Sequence, residues 1–390
     1  MKEISAVIIG KNYSTTLGLV EALGQAGYCC GVVKPVKEIP RFATPEQKSQ
    51  YVVRCEYAVM NDEEDILEKA LSFRQKSRKI ALIPSDDFSA SLLDRKLDSL
   101  SESFYVPNVR EKAGELTALM DKYTQKQLAL SSGVDAAACF SVEVSDGKVT
   151  IPEGIIYPCF TKPQASIGLS KSYIRKCDDR EALIRHLTMI GRQQPCTILV
   201  EEAIDVENEY TVPGVCVGSK AVIPALLKKH KIGSGKHKGV TIRGEVQSSA
   251  RYQTLTEQLC RFIESLGLTG IFDIELLESK GRFYLNEINL RYSAAGYAVT
   301  AAGVNLPGLY LDYLFGKKIT PEQLKRDGMI FVSEKAELED FEAGYSTFRN
   351  YLRSVKNADI RFMTGINDPP AEAAFKKIVW KTAAKRLLKR

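Results

Sequence analysis

Acidic and amide side chains alternate with apolar residues in the segment FDIELLESKGRFYLNEINLR, residues 272–291. Its two runs rich in Ile, Phe, Leu and Tyr predict strands at 271–277 and 282–289. The residues between them, Ser279 to Gly281, predict a hairpin loop with Gly281 at the position that needs positive φ. Because side chains alternate across a strand, this hairpin places four polar side chains on one face: Asp273, Glu275, Glu287 and Asn289.

Two acids of this face, Asp273 and Glu287, would stand directly opposite each other. Opposed like charges destabilise a sheet, and removing them from water costs more. A divalent cation resolves the conflict, since Mg²⁺ prefers carboxylate and amide oxygens and commonly bridges protein acids to substrate phosphates. Two interpretations are open: a metal site, or a solvent-facing strand pair whose acids point into water. A one-residue change of register would separate the two acids.

A lysine followed by a loop of small residues forms a second pattern, in YPCFTKPQASIGLSKSYIRK, residues 157–176. Lys162 lies on a predicted strand, and Ser166 and Gly168 lie in the loop after it. Small residues let backbone N–H groups approach phosphate oxygens, while a lysine neutralises their charge. The P-loop pattern G-x-x-x-x-G-K-[ST] is absent. The segment is typical of a phosphate-binding hairpin or of a mobile hairpin with an exposed lysine.

Two further charged segments lie between these patterns. TILVEEAIDVENEYTV, residues 197–212, is a strand, an acidic elbow and a second strand that begins near Glu209. KKHKIGSGKHKGVTIRG, residues 228–244, has six Lys/Arg and no acid, punctuated by glycines. Acids after a strand are usually turn residues on the surface, and a basic glycine-containing run is either a loop that closes over phosphates or a solvated loop.

Length and composition favour an ordinary globular protein. The 390 residues suffice for two or three domains, and 44% hydrophobic and 26% charged residues are average values. No apolar run is long enough to span a bilayer, and the N-terminus lacks a secretory signal pattern. The nine cysteines show no metal-binding spacing and predict free thiols in a reducing cytoplasm. Three histidines offer little material for a zinc site or a histidine-based triad.

The net charge of +6 comes from the C-terminus alone. Residues 371–390 hold seven Lys/Arg and one Glu, a balance of +6, so the rest of the chain is neutral. This distribution argues against a nucleic-acid partner. Apolar residues recur in this tail at helical spacing, among cations: Phe375, Ile378, Val379, Ala383 and Leu387. A basic amphipathic helix is predicted, either in peripheral contact with an anionic membrane or docked on its own domain.

The elements that would position these groups follow an α/β order. ISAVIIGKNYSTTLGLVEALGQAGYCCGVV predicts strand, helix and strand, with Ser14 to Thr16 offering helix caps and Gly27 ending the helix. No G-x-G-x-x-G fingerprint is present. The strand KIALIPSDD ends in residues 84–87, which suit either a ligand site or helix caps. A helix in DKYTQKQLALSSG follows, and then strands at 157–162, 197–202 and 208–217 precede the hairpin.

Read in this order, the chain resembles the ATP-grasp superfamily and, within it, the carboxylate–amine ligases. The resemblance covers roughly residues 1–315, and its strongest elements are the hairpin, similar to the D…ExN metal strands, and the lysine strand with its glycine-containing loop. It implies an α/β protein with three parts: a Rossmann-like domain at 1–112, an ATP-grasp domain of two α+β subdomains at 113–315, and a C-terminal extension at 316–390.

The resemblance also implies roles for individual residues. Lys162 would contact the phosphates of ATP, with Ser166 and Gly168 in the phosphate loop, and Lys122 would be a second nucleotide-binding lysine. The adenine and ribose would be bound at Glu201, Glu202, Ile204 and Glu209. Asp273, Glu287 and Asn289 would hold Mg²⁺, or Mn²⁺. Arg291 would contact phosphate or substrate, and Arg291 and Lys162 are the candidate catalytic residues. Many relatives have an arginine where this chain has Ile271, so Arg243 or a lysine of residues 228–238 would replace it.

The implied reaction joins an amino-acid carboxylate to an amine through an acyl phosphate, with ADP and phosphate as products. The tail NEINLRYSAAGYAVTAAGVNLP most resembles D-aspartate ligases, cytoplasmic enzymes that attach D-aspartate to the lysine side chain of a peptidoglycan precursor. Alternatives are a ligase for another amino acid in polysaccharide or secondary-metabolite assembly, and a nucleotide-binding regulator without catalysis. The missing glycine fingerprint disfavours a dinucleotide-dependent oxidoreductase.

Overall fold

The structure is a computed structural model that describes residues 3–40, 42–165, 167–168, 171–234, 239–319 and 323–387. The chain forms two compact units. The first unit comprises Met1–Gly114, Thr211–Asp273 and Leu290–Arg390, and the second comprises Glu115–Tyr210 and Ile274–Asn289. The three consecutive domains suggested by the sequence stay a prediction.

The first unit begins with a parallel five-stranded sheet of order β3-β2-β1-β4-β5. Its strands are β1 (Ile4–Ile9), β2 (Cys29–Val36), β3 (Val52–Val59), β4 (Ile80–Pro84) and β5 (Phe104–Tyr105). The helices between them are α1 (Tyr13–Gln25), α2 (Pro45–Lys48), α3 (Glu63–Leu71), α4 (Asp87–Arg95) and α5 (Leu97–Leu100), and β6 (Asn108–Val109) follows. β1 and β4 are buried almost throughout, as expected for the centre of a parallel sheet. This order is the Rossmann-like one.

Side-chain caps fix two helix starts beside this sheet. Asn12, rather than the predicted Ser14 to Thr16, is the N-cap of α1, and its Oδ1 accepts from the Ser14 N–H at 3.1 Å. The Ser14 N–H has no partner within the helix, and the Asn12 amide oxygen, one residue before the helix, accepts from it. The prediction that a hydroxyl of Ser14 to Thr16 caps the helix is therefore wrong. Gly27, with φ of 85°, follows the end of α1 as predicted. Asp86 caps α4 by accepting from Ser89 N–H at 2.9 Å.

The second unit contains an antiparallel sheet of order β10-β9-β11-β7-β8. Its elements are α6 (Glu115–Ala118), α7 (Lys122–Ser131), β7 (Cys139–Ser145), β8 (Lys148–Val149), β9 (Cys159–Pro163), β10 (Arg175–Cys177), α8 (Arg180–Gln193) and β11 (Cys196–Glu202). The helix predicted in DKYTQKQLALSSG and the strands predicted at 157–162 and 197–202 are confirmed within about two residues. Val142, Leu187 and Ile198 lie in the core of this unit.

The remaining strands belong to a nine-stranded sheet that runs β17-β16-β12-β14-β15-β18-β19, with β13 beside β12 and β6 beside β16. They are β12 (Asn208–Val217), β13 (Lys220–Val222), β14 (Ala225–Ile232), β15 (Thr241–Ser248), β16 (Leu268–Ser279), β17 (Arg282–Asn289), β18 (Met329–Val332) and β19 (Ile360–Arg361). The helices are α9 (Gln253–Leu266), α10 (Gly296–Ala301), α11 (Leu306–Leu314), α12 (Glu334–Ala343), α13 (Phe348–Lys356) and α14 (Pro369–Leu387).

The hairpin turn between β16 and β17 differs from the prediction. Strand β16 continues through Ser279, and only Lys280 and Gly281 form the turn, with φ of 50° and 74°. Positive φ at both positions is the two-residue type I′ turn, whose twist matches that of the strands. The three-residue loop expected at Ser279 to Gly281 is therefore wrong. The count that set Asp273 opposite Glu287 rested on that loop and loses its basis.

Helix α14 docks on the first unit through its apolar stripe. Ala371, Phe375, Val379 and Ala383 are buried in the largest core of the unit. The interpretation of a helix docked on its own domain is therefore correct for this stripe. Within the described residues, no helix is both long and apolar enough to cross a membrane.

Candidate functional site

A buried cluster of charges lies at the end of β11 in the second unit. Lys162 of β9 contacts the Glu201 carboxylate and donates a hydrogen bond to the Asn286 side-chain oxygen at 2.7 Å. Lys126 of α7 lies 3.1 Å from the other Glu201 oxygen and donates to the Leu285 carbonyl at 2.9 Å. Glu201 is only 4% exposed. The structure thus brings Lys162 and Glu201 together, as the sequence patterns suggested only separately.

The two lysines decide the ionisation of Glu201. Burial alone would raise the pKa of the Glu201 carboxyl, but the nearby Lys162 and Lys126 outweigh it, and the pKa is lowered. Burial lowers the pKa of Lys126, and Glu201 opposes that effect. Two cations around one anion leave the cluster with an excess positive charge. An anionic group such as a phosphate would be attracted to it.

Helix α7 also holds strand β17 and the chain after β9. Lys122 Nζ lies 3.3 Å from a Glu287 carboxylate oxygen. Gln125 exchanges two hydrogen bonds of 2.8 Å with the backbone of Ile288. Gln164 donates through its side chain to Asp121, the N-cap of α7, at 2.7 Å, while its carbonyl accepts from the Lys122 N–H at 3.1 Å. Helix α7 therefore places Lys122 against the acidic strand β17 and also contacts the chain that follows Lys162.

The burial pattern of the hairpin indicates a β-bulge in β17. From Ile274 onward the buried apolar residues of β16 have even numbers, and the two-residue turn pairs Leu276 with Leu285, which is also buried. The next buried residue of β17 is Ile288, of opposite parity. One extra residue in β17 between Leu285 and Ile288 accounts for the change of parity and brings Ile288 opposite Ile274.

With that bulge, Glu287 stands opposite Glu275. Glu275, Glu287 and Asn289 are half-buried and belong to the second unit. Asp273 belongs to the first unit and is 2% exposed. Among the described residues, no group of three or more His, Cys, Asp or Glu side chains is arranged to hold a metal ion. Two carboxylates and an amide are the candidate donors that remain.

The other predicted nucleotide-binding residues lie at the end of β11, just after it and in β12. The backbone N–H groups of Glu202 and Ala203 already donate to the carbonyls of Ala138 and Pro158, at 2.8 and 2.9 Å. Ile204 and Glu209 are half-buried in the same unit. Their roles at adenine and ribose stay predictions.

The phosphate loop is described only in part. Gly168 is exposed with φ of 85°, while Ser166 lies outside the described residues. The basic run at 228–244 is partly strand, because residues 228–232 belong to β14 and residues 241–244 to β15. Lys231 of this run pairs with Glu337 of α12 at 2.8 Å.

Arg291 contacts the chain just after β4 in the first unit. Its Nε donates to Asp87 Oδ1 at 2.9 Å, and both side chains are partly exposed. Asp87 directly follows Asp86, the cap of α4. Ile271, which stands where many relatives have an arginine, is a buried residue of the core. The polar residues at the end of β4 therefore serve both as cap and as partner of Arg291.

Two residues of the charge cluster, Lys126 and Asn286, were not anticipated. Lys126 lies one helical turn after Lys122, and the i, i+4 spacing places both on one face of α7. That spacing in DKYTQKQ could have identified it. Asn286 precedes Glu287 directly, and strict alternation would have pointed it away from the polar face. Only the bulge allows neighbouring residues to serve one site.

Comparison with known proteins supports the ATP-grasp superfamily. Residues 197–336 match a family model described as ATP-grasp in the biosynthetic pathway with Ter operon. The carbamoyl phosphate synthase large chain of Agathobacter rectalis is 24% identical over 213 residues, 53% of this chain and 20% of that protein. The chain thus spans about a fifth of the length of this curated relative.

Solved structures agree on the fold. N5-carboxyaminoimidazole synthetase from Staphylococcus aureus, complexed with ADP, superposes with a TM-score of 0.65 at 17% identity, covering 90% of this chain and 87% of that one. L-amino acid ligase from Bacillus licheniformis gives a TM-score of 0.59 at 15% identity, covering 80% and 75%. The chain has the α/β architecture of the ATP-grasp fold, and the fold prediction is confirmed.

Proposed function

We propose that this protein is an ATP-dependent ligase that joins an amino-acid carboxylate to an amine and releases ADP and phosphate. The observation that carries the proposal is the convergence of Lys122, Lys126 and Lys162 on Glu201 and the acidic strand β17, within an ATP-grasp fold. Such an arrangement suits the phosphates of ATP, because cations fixed in a partly desolvated site stabilise negative charge without reorganisation.

The donors of the hairpin fit Mg²⁺, or Mn²⁺. Glu275, Glu287 and Asn289 offer hard oxygen ligands, which both ions prefer. Glu275 replaces Asp273 as the proposed partner acid, because the two-residue turn and the bulge set it opposite Glu287. When bound, the ion would neutralise charge on the ATP phosphates. Lys122, already 3.3 Å from Glu287, would lie beside the same phosphates.

Lys162 and Arg291 are the proposed catalytic residues, each for a different anion. Lys162 would bind a phosphate oxygen through a charge-assisted hydrogen bond, with Lys126 and Glu201 fixing its position. Arg291 would bind the substrate carboxylate, since a guanidinium matches a carboxylate through paired hydrogen bonds. Its contact with Asp87 orients the guanidinium. The Glu201 end of β11 would frame the adenine, with Glu202 and Ile204, and Glu209 would bind the ribose.

The reaction would proceed in two displacements. A carboxylate oxygen of the first substrate attacks the γ-phosphorus of ATP, the bond to ADP breaks, and an acyl phosphate forms. The amine then attacks the carbonyl carbon, and phosphate leaves with the oxygen that bridged carbon and phosphorus. The described residues contain no nucleophilic side chain paired with an adjacent base at this site, which supports direct displacement.

For the substrates, two observations favour two candidates. The likeness of residues 286–307 to D-aspartate ligases supports D-aspartate as the acid and the lysine side chain of a peptidoglycan precursor as the amine. The description of the matching family, which names a biosynthetic pathway, supports a ligase for another amino acid in such a pathway. A regulator without catalysis is disfavoured by the intact Lys162, Glu287 and Asn289.

A phosphate-release screen tests the proposal. The purified protein is incubated with ATP, Mg²⁺ and paired pools of amino acids and amines, D-aspartate with a lysine-containing precursor among them. Release of phosphate and ADP only when both pools are present is expected. Lys162→Met should weaken ATP binding at least about tenfold in calorimetry, as loss of a charge-assisted contact implies. The exposed Lys148→Met is the matched control. ATP binding without turnover in any pool would overturn the ligase in favour of a regulator.

A further inference from the structure

The outer side of α14 and its surroundings expose large apolar side chains next to cations. Phe42, Ile39 and Trp380 are 70%, 69% and 68% exposed, the three highest values among the large hydrophobic residues that the structure describes. Lys381 Nζ of α14 lies 3.7 Å from the centre of the Phe42 ring. The ring centres of Trp380 and Phe348 of α13 are 6.3 Å apart. The contact of Lys381 places Phe42 beside the Trp380 side of α14, and Ile39 lies three residues before Phe42 in the same unit.

The charge of this surface is positive. Lys376, Lys377 and Lys381 flank Trp380 on the outer side of α14, and Lys376 pairs with Glu372 at 2.6 Å. On α13, Arg349 and Arg353 are exposed beside Leu352, which is itself 52% exposed. Residues 371–390, which include this side of α14, hold seven Lys/Arg against one Glu. We call this surface the Trp380 patch.

The inner side of α14 cannot be the binding face, because its apolar stripe is already buried in the core. The outer side has the composition of a membrane-interface segment: an indole and a phenyl ring among lysines whose aliphatic stems cover apolar surface. Nucleic acid is a poorer match, since aliphatic residues such as Ile39 and Leu352 gain nothing from a phosphate backbone. Lipid chains would bury them.

We propose that the Trp380 patch binds the surface of a bilayer containing anionic phospholipids, with Trp380, Phe42 and Ile39 entering the interface and the lysines contacting lipid phosphates. Each lysine near an anionic surface strengthens binding about fivefold, which makes several together sufficient for reversible attachment. Attachment is peripheral, and it is independent of the proposed ligase reaction.

Trp380 is the single tryptophan of the chain, so its emission reports on the patch alone. The full chain is mixed with vesicles of neutral phosphatidylcholine or of phosphatidylcholine with phosphatidylglycerol. A blue shift and co-sedimentation are expected only with the anionic vesicles, and about 1 M salt, where the screening length is about 3 Å, should abolish both. Equal binding to neutral vesicles, or none to anionic ones, would overturn the proposal.

Matched triple variants locate the binding surface. Lys376→Gln, Lys377→Gln and Lys381→Gln together should weaken binding on the order of 100-fold. Lys76→Gln, Lys148→Gln and Lys220→Gln remove the same charge from exposed positions elsewhere and should change it little. Phe42→Ala should weaken binding about tenfold. Equal losses of vesicle binding in both triple variants would refute the patch as a lipid surface. So would binding of the wild-type protein to RNA, a polyanion, that the patch variant loses, if no vesicles are bound.

Discussion

Glu201 is a carboxylate held between two lysines with almost no access to water. In such a place the cost of desolvating each charge is several kcal/mol, and only the opposite charges nearby offset it. The cluster is therefore sensitive to the loss of any member. Lys126 is 1% exposed, so water could not solvate its charge if Glu201 were removed. Glu201 is buried as well, so the same holds for its carboxylate if the lysines were removed.

Lys126→Met should destabilise the protein by about 3 kcal/mol, because it leaves Glu201 buried with one lysine instead of two. The measurement is urea unfolding, with the exposed Lys148→Met as control. The pH dependence follows from the lowered pKa of Glu201: the stability it contributes is present at neutral pH and is lost as pH falls through the folded-state pKa. The variant should begin this loss at higher pH. An unchanged free energy of unfolding would contradict the assignment.

The hairpin of β16 and β17 shows how an element sets a site. A two-residue turn and one extra residue in β17 decide which acids face each other, and each change alone would move every side chain to the other face. Burial of Ile274 and Ile288 on one side leaves Glu275 and Glu287 together on the other. The bulge also lets Asn286 reach Lys162 while Glu287 reaches Lys122.

Glu275→Gln and Glu287→Gln should each lower turnover on the order of 100-fold and raise the Mg²⁺ concentration needed for half-maximal rate, because each removes one charged ligand. The folds should persist, since relief of like-charge repulsion offsets the lost ligand. The readout is ADP formation across a Mg²⁺ titration. Glu207→Gln, an exposed acid of the same unit, is the control. Normal activity of Glu275→Gln would return Asp273 to consideration.

A buried pair of acids joins α1 to the start of α14. Glu21 and Asp368 are both fully buried, and Asp368 accepts from the Gln50 N–H at 3.2 Å. Burial, with Asp368 beside it, raises the pKa of Glu21 to about 9. With this pKa Glu21 is neutral at pH 7, so that it does not repel Asp368. This pairing connects the start of α14 to α1 within one unit.

Glu21→Gln should make the protein less sensitive to alkaline pH. An acid with a raised folded pKa binds more protons in the folded state, so wild-type stability falls as pH rises from about 4.5 to about 9. The neutral amide removes this slope, and its advantage over wild type should grow by up to about 1.4 kcal/mol per pH unit. Urea unfolding from pH 6 to 9 (roughly the upper part of that window) tests this, with Glu102→Gln as control. Parallel curves would show that Glu21 is ionised.

On the scale of the whole molecule, the proposed ligase reaction predicts the fate of one oxygen atom. If a carboxylate attacks the γ-phosphorus, ¹⁸O in the acid substrate must appear in the released phosphate, because the amine later breaks the bond between carbonyl carbon and bridging oxygen. Mass spectrometry of the phosphate measures this. In the control, unlabelled acid substrate reacts in ¹⁸O-water, and the released phosphate should stay unlabelled. Formation of AMP and pyrophosphate would mean adenylation and a different enzyme class.

Many of the secondary-structure elements were predictable from local sequence, whereas the chemical roles of their residues stay predictions. The strand at 208–217, the helix after Asp121 and the lysine strand were predictable because periodicity and capping are local properties. Lys162, Glu287 and Asn289 stood out because their residue types suit phosphate and metal. The ATP-grasp resemblance rested on the same local segments and agreed with the fold.

Which groups share a site depends on contacts between segments far apart in the chain. The partnership of Lys126, Glu201 and Lys162 joins a helix to two strands far apart in sequence, and no local pattern encodes it. The identity of the acid opposite Glu287 depends on turn length and a bulge, where a change of one residue reverses every face. Which side of α14 is exposed could be identified only from the structure, because it depends on which side packs into the core. Long-range packing selects among local options that are nearly equal in energy, so these outcomes could not be read from the chain.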